Sequence, residues 1–398
     1  MANVPLSRPQ QAIPIWRDTK YIAILLQVAF VVLVVIAGGI LLRNMLGSLE
    51  EANISPSFSF LDEEAGIPIG LTTIDYTPSD SYARAFFVGL LNTVLVSVFG
   101  IILATLLGLV VGISRLSSNW LLRKTAEVFI ELMRNIPLLV LLLFLFAVNQ
   151  TFPKIKESWN FFGLAYLSNR GISIAWFRPS ESFNSWLIWL AIALLVGGGV
   201  FFWRRMQLKQ QDRPGAVLPW ALLATFIVAV LGVFATQMMT GSPPLYLDVP
   251  VLDKFKFKGG TELPASFFVM LVGLVIYTSA FIGEIVRAGI MSVSKGQREA
   301  AKALGLSEGQ ALRLIILPQA LRVMIPPMTS EYLNLTKNSS LAIAVGYPDL
   351  VAVGNTIANQ TGQAITMIMV VMGCYLSLSL FTSLLMNIYN RQIQLVER

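Results

Sequence analysis

The 398-residue chain contains no histidine and one cysteine, Cys374. Without histidine, the one side chain whose ordinary pKa lies near neutrality is missing. Histidine-based acid–base catalysis is therefore excluded, as is a histidine or multi-cysteine metal site within the chain. One cysteine forms no internal disulfide, so cysteine usage says nothing about redox compartment. Charge is also scarce. Only 13% of residues are Asp, Glu, Lys or Arg, about half the globular norm of roughly 25%. A soluble domain cannot cover its surface with so few. No G-x-x-x-x-G-K-[ST] loop occurs, and Gly197-Gly198-Gly199 lies in an apolar run without the lysine, so the chain cannot cradle ATP phosphates in that way. No nucleophile motif is recognisable, and a membrane enzyme has little support.

What the chain has instead is apolar length. Hydrophobic residues make up 55% of it. Runs at about 21–42, 86–113, 126–148, 185–203, 217–240, 265–290 and 364–389 are each long enough to cross a hydrocarbon core as a helix. A less obvious eighth, at about 322–345, carries polar residues and Pro326-Pro327. The fold class expected is an all-α integral membrane protein of about eight transmembrane helices. The first run is near the length of a span and lacks a clear A-x-A site, so it reads as an uncleaved span rather than a signal peptide.

Basic residues set the expected orientation. Arg8, Arg17 and Lys20 precede the first span; Arg115, Arg123 and Lys124 follow the second; Arg204, Arg205, Lys209 and Arg213 follow the fourth. Arg287 to Arg322 surround the polar segment 294–318, and Arg391 and Arg398 follow the last span. By the positive-inside rule these loops and both termini are cytoplasmic, which also accounts for the net charge of +7 without nucleic acid. The loop at 43–85 is acidic, with Glu50, Glu51, Asp62, Glu63, Glu64, Asp75 and Asp80. Loops 149–184 and 241–264 are rich in aromatics, Pro and Gly, and Trp159, Trp176, Trp186 and Trp189 suit the outer interface.

The polar segment has a rhythm of its own. Ser294-x-x-Gln297 and Ser307-x-x-Gln310 fit the capping-box pattern. Gly305 stands where a helix of about ten residues ends in a left-handed cap. Pro318 bounds a second piece. The reading is helix, tight turn, helix, with Ala300, Ala301 and Leu304 on one face. Periodicity alone leaves open an ordinary interfacial loop or a docking surface for another protein.

Two pairs of charges fall near span ends. Glu131 with Arg134, and Glu284 with Arg287, stand three apart and can pair along a helix. For the first, a structural ion pair and a place on a translocation path both remain open; for the second, a structural or gating pair is favoured. In the eighth span Ser330, Asn334, Lys337 and Leu341 fall on one helical face, with Glu331 and Asn338 beside it. Such a stripe must meet protein or water rather than lipid. It is either a packing interface or a polar wall of a path, in which Lys337 attracts a carboxylate.

The spacing Glu299-Ala300-Ala301, three residues, Gly305, nine residues, Ile315, one residue, Leu317-Pro318 resembles the EAA signature of ABC importer permeases at every position. Glu131-Leu-Met-Arg134-Asn-Ile-Pro137-Leu-Leu is similar to the E-x-x-R-G-x-P-L-L segment of the amino-acid permeases, with Asn135 and Ile136 as departures. Lys337-Asn338-Ser339-Ser340-Leu341 resembles their K-[DN]-[ST]-S-L segment, and Asn92-Thr93 and Glu284-Ile-Val-Arg287-Ala-Gly289 fit as well. The resemblance covers about 86–148 and 265–390 of a core that has about five spans in this family. The layout, with one extra span before the core and two inserted, resembles the larger permease subunit of general L-amino-acid importers of Gram-negative bacteria.

That resemblance implies a type I ABC importer permease core with a cytoplasmic coupling helix. The chain then divides into 1–85 (an extra span and acidic periplasmic loop), 86–148 (first part of the core), 149–264 (inserted loops and two extra spans) and 265–398 (second part, with coupling loop 294–318). It implies an inner-membrane transport subunit, not an enzyme, with no cofactor of its own; ATP and Mg belong to partner ATPase subunits. Further implied partners are a second, non-identical permease, a periplasmic amino-acid-binding protein and an L-amino-acid substrate. Glu299, Ala300, Ala301, Gly305, Leu317 and Pro318 would carry ATPase coupling. Glu131, Arg134, Pro137, Glu284, Arg287, Asn334, Lys337, Asn338 and Ser339 are candidates for the substrate path or its gates. The alternative is an ion- or proton-coupled secondary transporter, to which the intramembrane charges and broken helices also point.

Overall fold

Long apolar runs become helices, and local chemistry sets their ends. The computed structural model describes residues 19–51, 57–211, 215, 217–254 and 256–393. Helix α1 is Thr19–Glu51 and α2 is Tyr82–Arg115. The first runs past its expected end at 42, so Glu50 and Glu51 belong to a helix rather than to the acidic loop. Ser81 caps α2 by accepting a hydrogen bond from Arg84 N, which satisfies one of the free amides of the first turn. Arg8, Arg17, Arg213 and Arg398 lie outside the described residues.

The third expected span is broken. Helix α3 (Trp120–Asn135) and α4 (Leu138–Gln150) meet at 107°. The cause is Pro137, whose ring disfavours helical backbone at the residue before it. Ile136 accordingly takes φ −93° and ψ 128°. At about 1.5 Å per residue α4 alone falls well short of a bilayer core, so the span needs both halves. Counting this pair as one gives eight candidate spans.

Helices α5 (Phe183–Gln210) and α6 (Leu218–Thr240) form a hairpin packed chiefly on itself. Trp186 Nε1 donates to Ala229 O across it at 3.1 Å, and at its far end Arg204 lies 4.8 Å from the Trp220 ring centroid. The loops at 149–184 and 241–264, read from sequence only as aromatic, Pro- and Gly-rich, carry eight short strands among the described residues: β1 (Trp159–Phe161), β2 (Ala165–Ser168), β3 (Gly171–Ile174), β4 (Trp176–Pro179), β5 (Leu245–Asp248), β6 (Val251–Asp253), β7 (Lys256–Lys258) and β8 (Thr261–Pro264). The sheet β1-β2-β3-β8 and the pair β4-β5 join loops on either side of the α5–α6 hairpin into one module. Gly171 stands opposite Pro264 in that register.

From β8 the chain enters α7 (Ala265–Met291), then α8 (Lys295–Ala303) and α9 (Glu308–Ala311). A π turn at Leu312–Ile316 leads into α10 (Leu317–Asn338). Pro318 near its start offers no amide to the preceding turn, which suits a widened helix there. The second piece of the polar segment is thus the leading end of a span, and α10 continues through Pro326 and Pro327. A 3-10 turn at Ser339–Val345, α11 (Leu350–Thr361) and α12 (Ala364–Ile393) complete the chain.

The core forms where α2 crosses α7, with Leu142, Met270, Leu274, Ile282, Val286, Leu335 and Tyr347 fully buried around them. Gly108 and Gly112 bring the two backbones together. A Cβ at Gly112 would sit 2.6 Å from Gly283 O and 2.8 Å from Val286 Cβ. Small residues four apart are a recurrent device for close helix packing in membranes. Gly112→Leu is expected to lower stability in detergent by about 1–3 kcal/mol through overpacking. Gly198→Leu, where nothing lies within 4 Å of the added carbon, should leave it unchanged; equal melting of the two variants would contradict the crossing.

Candidate functional site

The polar segment builds one exposed surface. Helix α8 ends in a Schellman arrangement: Leu306 N donates to Ala301 O at 3.1 Å and Gly305 N to Lys302 O at 2.9 Å. Gly305 has φ +75°, and nothing lies within 4 Å of a Cβ placed there. Its constraint is the left-handed backbone, not space. Ser307 makes the expected capping box with Gln310. Ser294 does not: its side chain makes no cap bond, and Gln297 N donates to its backbone carbonyl instead.

The expected single face also divides. Ala301 is fully buried, on a helix that packs against the chain's own π turn and α9, whereas Glu299, Ala300 and Leu304 are exposed. Positions 300 and 304 stack one turn apart while 301 turns about 100° away. The outward surface is therefore Glu299, Ala300 and Leu304; Ala301 seats the helix on the rest of the chain. Arg298 adds a tie, its Nη2 donating to Ile290 O at 2.8 Å. Leu317 and Pro318, the first two residues of α10, are both exposed.

A cluster of charges lies beside it, at the same ends of α2 and α7. Glu284 receives both Nε of Arg287, at 3.0 Å, and Nη1 of Arg115, at 3.4 Å. The pairing within α7 is the expected one; the partner from α2 was not foreseen. No ion pair joins Glu131 and Arg134 among the described residues. Arg134 instead lies over Phe281, 5.4 Å from the ring centroid, and Asn135 Nδ2 donates to the Glu131 backbone at 2.7 Å. Arg115, Glu131, Arg134, Asn135, Phe281 and Glu284 line a cavity of about 410 Å³ at the Pro137 elbow. Its guanidinium and carboxylate groups have the charge pattern that a zwitterion requires.

Asn334, Lys337, Asn338 and Ser339 do not line that cavity. Ser330, Asn334 and Lys337 are exposed along one face of α10, a polar stripe on a membrane-crossing helix. Ser339 is buried and turned the other way, within 3.1 Å of the Tyr375 hydroxyl. It belongs to packing rather than to the open stripe.

At the opposite end a buried polar latch ties α2 to the turn before α11. Asn92 Nδ2 donates to both Leu71 O and Pro348 O at 2.9 Å. Tyr347 OH donates to Asn92 O at 2.7 Å, and Leu350 N to Thr93 Oγ1 at 2.9 Å. Asp349 caps α11 by accepting from Ala352 N and also receives Tyr375 OH. The signal for it was the Asn92-Thr93 pair in an apolar run and the turn residues Gly346-Tyr-Pro-Asp349. Burial pushes the Asp349 carboxyl up to about 6, opposed by the hydrogen bonds it accepts. A raised folded pKa means that the protonated form favours the fold. Its contribution is complete below the unfolded value near 4 and is lost as pH rises through about 6. From pH 4 to 7 the wild type should lose up to about 3 kcal/mol relative to Asp349→Asn, read as diverging melting temperatures; parallel curves would remove the assigned role.

A family model described as "Binding-protein-dependent transport system inner membrane component" matches residues 215–398. YhdX of Escherichia coli (strain K12), which carries the name amino-acid ABC transporter permease protein, is 45% identical over 377 residues, 94% of each chain. The general L-amino acid transport system permease protein AapQ of Rhizobium johnstonii is 43% identical, over 96% of this chain and 94% of AapQ. The glutamate/glutamine/aspartate/asparagine transport system permease protein BztB of Rhodobacter capsulatus is 40% identical over 96% of each.

Proposed function

The chain belongs to the amino-acid ABC transporter permeases, and on that footing we propose that it moves L-amino acids across the bacterial inner membrane by borrowing the energy of a separate ATPase. The observation that carries the coupling role is the exposed surface Glu299–Ala300–Leu304, held rigid by Gly305 and seated by Ala301. An ATPase subunit closing on that surface pushes α8 against the π turn and the start of α10. The push reaches α7 through the Arg298 tie to Ile290. With the basic loops on the cytoplasmic side, this surface and both termini face the cytoplasm. ATP and Mg are held by the ATPase, and an extracytoplasmic binding protein delivers the amino acid at the other end.

The exposed stripe Ser330–Asn334–Lys337 is unsuited to lipid. It faces a second, non-identical permease across a shared path, along which Lys337 attracts the carboxylate common to all amino acids. The elbow cavity receives the zwitterion near the cytoplasmic end, its carboxylate toward Arg134 and its ammonium toward Glu131. The Glu284–Arg287–Arg115 cluster holds α2 and α7 together as the gate there opens and closes. Alternation between outward and inward states follows from the different contacts the ATPase makes with each. YhdX carries an ABC transporter permease name and AapQ and BztB transport system permease names, which leaves the ion-coupled alternative without support.

In the reconstituted complex, Gly305→Val forces a β-branched residue into left-handed backbone, at a cost of about 1–2 kcal/mol to the α8 turn. ATP-dependent uptake should fall by at least about tenfold while the membrane subunits still copurify. Undiminished uptake per ATP hydrolysed would refute the coupling role. Lys337→Ala should slow uptake of several amino acids with ATPase stimulation by the binding protein retained; normal uptake of all of them would remove Lys337 from the path.

A further inference from the structure

The strand-bearing end contains an unclaimed cationic cavity. It measures about 380 Å³ and is lined by Lys154, Ile155, Lys156, Glu157, Asn169 and Arg170. Its rim is fixed to the ends of two membrane helices. Asn149 Nδ2, in the last turn of α4, donates to Asn169 O at 2.9 Å. Ala265 N, the first residue of α7, donates to Arg170 O at 2.8 Å. The cavity therefore lies where α4 and α7 leave the hydrocarbon.

Three independent features meet there. First, Lys154 and Arg170 form no ion pair among the described residues, whereas Arg178 and Lys258 elsewhere in the same module pair with Asp248 and Asp253. Unpaired cations on the outer side also run against the usual bias of basic residues toward the inner side. Second, the adjacent hairpin presents aromatics to the surroundings. Trp159 packs on Phe152 with ring centroids 5.3 Å apart, and Phe162, at φ +55°, is 98% exposed. Aromatic rings of this kind settle at headgroup level. Third, α4, which ends at the cavity, exposes Leu139, Val140, Leu143 and Phe144.

A cationic cavity, an aromatic rim and an apolar helix flank reproduce in order the three zones of an amphiphile. We propose that the cavity binds the phosphate of an anionic phospholipid headgroup, with the acyl chains along the exposed flank of α4. Lys154 and Arg170 meet the phosphate, and the Trp159–Phe162 hairpin lies in the interface beside it. The site is separate from the coupling surface and does not depend on how transport is driven.

The test is lipid titration of the purified full-length chain in detergent, read by native mass spectrometry. Phosphatidylglycerol should bind about tenfold or more tightly than phosphatidylcholine. Lys154→Gln with Arg170→Gln should abolish that preference. Lys154→Arg with Arg170→Lys should keep it, as should Lys256→Gln on β7 outside the cavity. Absence of any preference in the wild type would overturn the proposal, as would its survival in the neutralised variant. Glycerol phosphate competing as well as phosphatidylglycerol would reassign the cavity to a free anion and overturn the lipid. Loss of affinity for an added extracytoplasmic binding protein, with lipid preference intact, would assign the cations to a protein interface instead.

Discussion

The close approach of α2 and α7 at Gly108 and Gly112 is the contact on which the other arrangements hang. In a bilayer there is little hydrophobic drive to hold two helices together, so dispersion contacts and backbone proximity must do so. Glycine at both positions lets Ile282, Gly283 and Val286 meet the α2 backbone directly. Everything functional is placed relative to that crossing. One turn beyond it, Arg115 reaches Glu284, and further on α7 hands over to α8 through Ser292 and Arg298. At the other end, Asn92 and Thr93 of α2 hold the turn that begins α11. A wider crossing would separate Arg115 from Glu284, and the charge cluster would lose its partner from α2.

Two proline positions give the framework its asymmetry. Pro137 divides a span and swings α3 aside, which opens the elbow cavity and leaves Arg134 over an aromatic ring rather than beside Glu131. Pro318 lies beyond a π turn without ending the helix, so α9 and the π turn are continuous with a span. A force applied to α9 would therefore act on α10 through a continuous helical element. Helices transmit displacement well along their axes because each turn is hydrogen-bonded to the next, whereas a flexible loop would absorb it.

The sequence was informative where a single residue has one conformational use. Gly305 in a left-handed cap and Ser307 with Gln310 in a capping box each dictate local backbone. Seven apolar stretches were legible by length alone, and the eighth, at 322–345, less so because it carries polar residues and two prolines; that the third bends by 107° was not, because hydropathy is blind to direction. Side-chain facing was less legible. Ala300 and Ala301 differ only in which way the helix is rolled, and that is decided by packing against the π turn that follows α9. The Glu131–Arg134 spacing permits a pair but does not compel it, because Phe281 competes for the guanidinium. The strands were hidden more deeply. They are three or four residues long, and β3 and β8 pair across the entire α5–α6 hairpin. Neither has enough alternation to announce itself alone.

The strands around α5 and α6 have an architectural consequence. An apolar hairpin such as α5–α6, joined to the core by loose loops, would have no fixed position relative to it. Pairing β3 with β8 and β4 with β5 gathers both connections at one end and fastens them to the adjoining ends of α4 and α7. The hairpin is thereby held at its root while its flanks stay open, since only 11% of each apolar window is buried. Helix α1 is more open still, with none of its window buried. Surfaces this apolar need lipid or neighbouring helices on every side. The strand module thus fixes where α5 and α6 stand at one end, and α8 and α9 at the other end remain free of them.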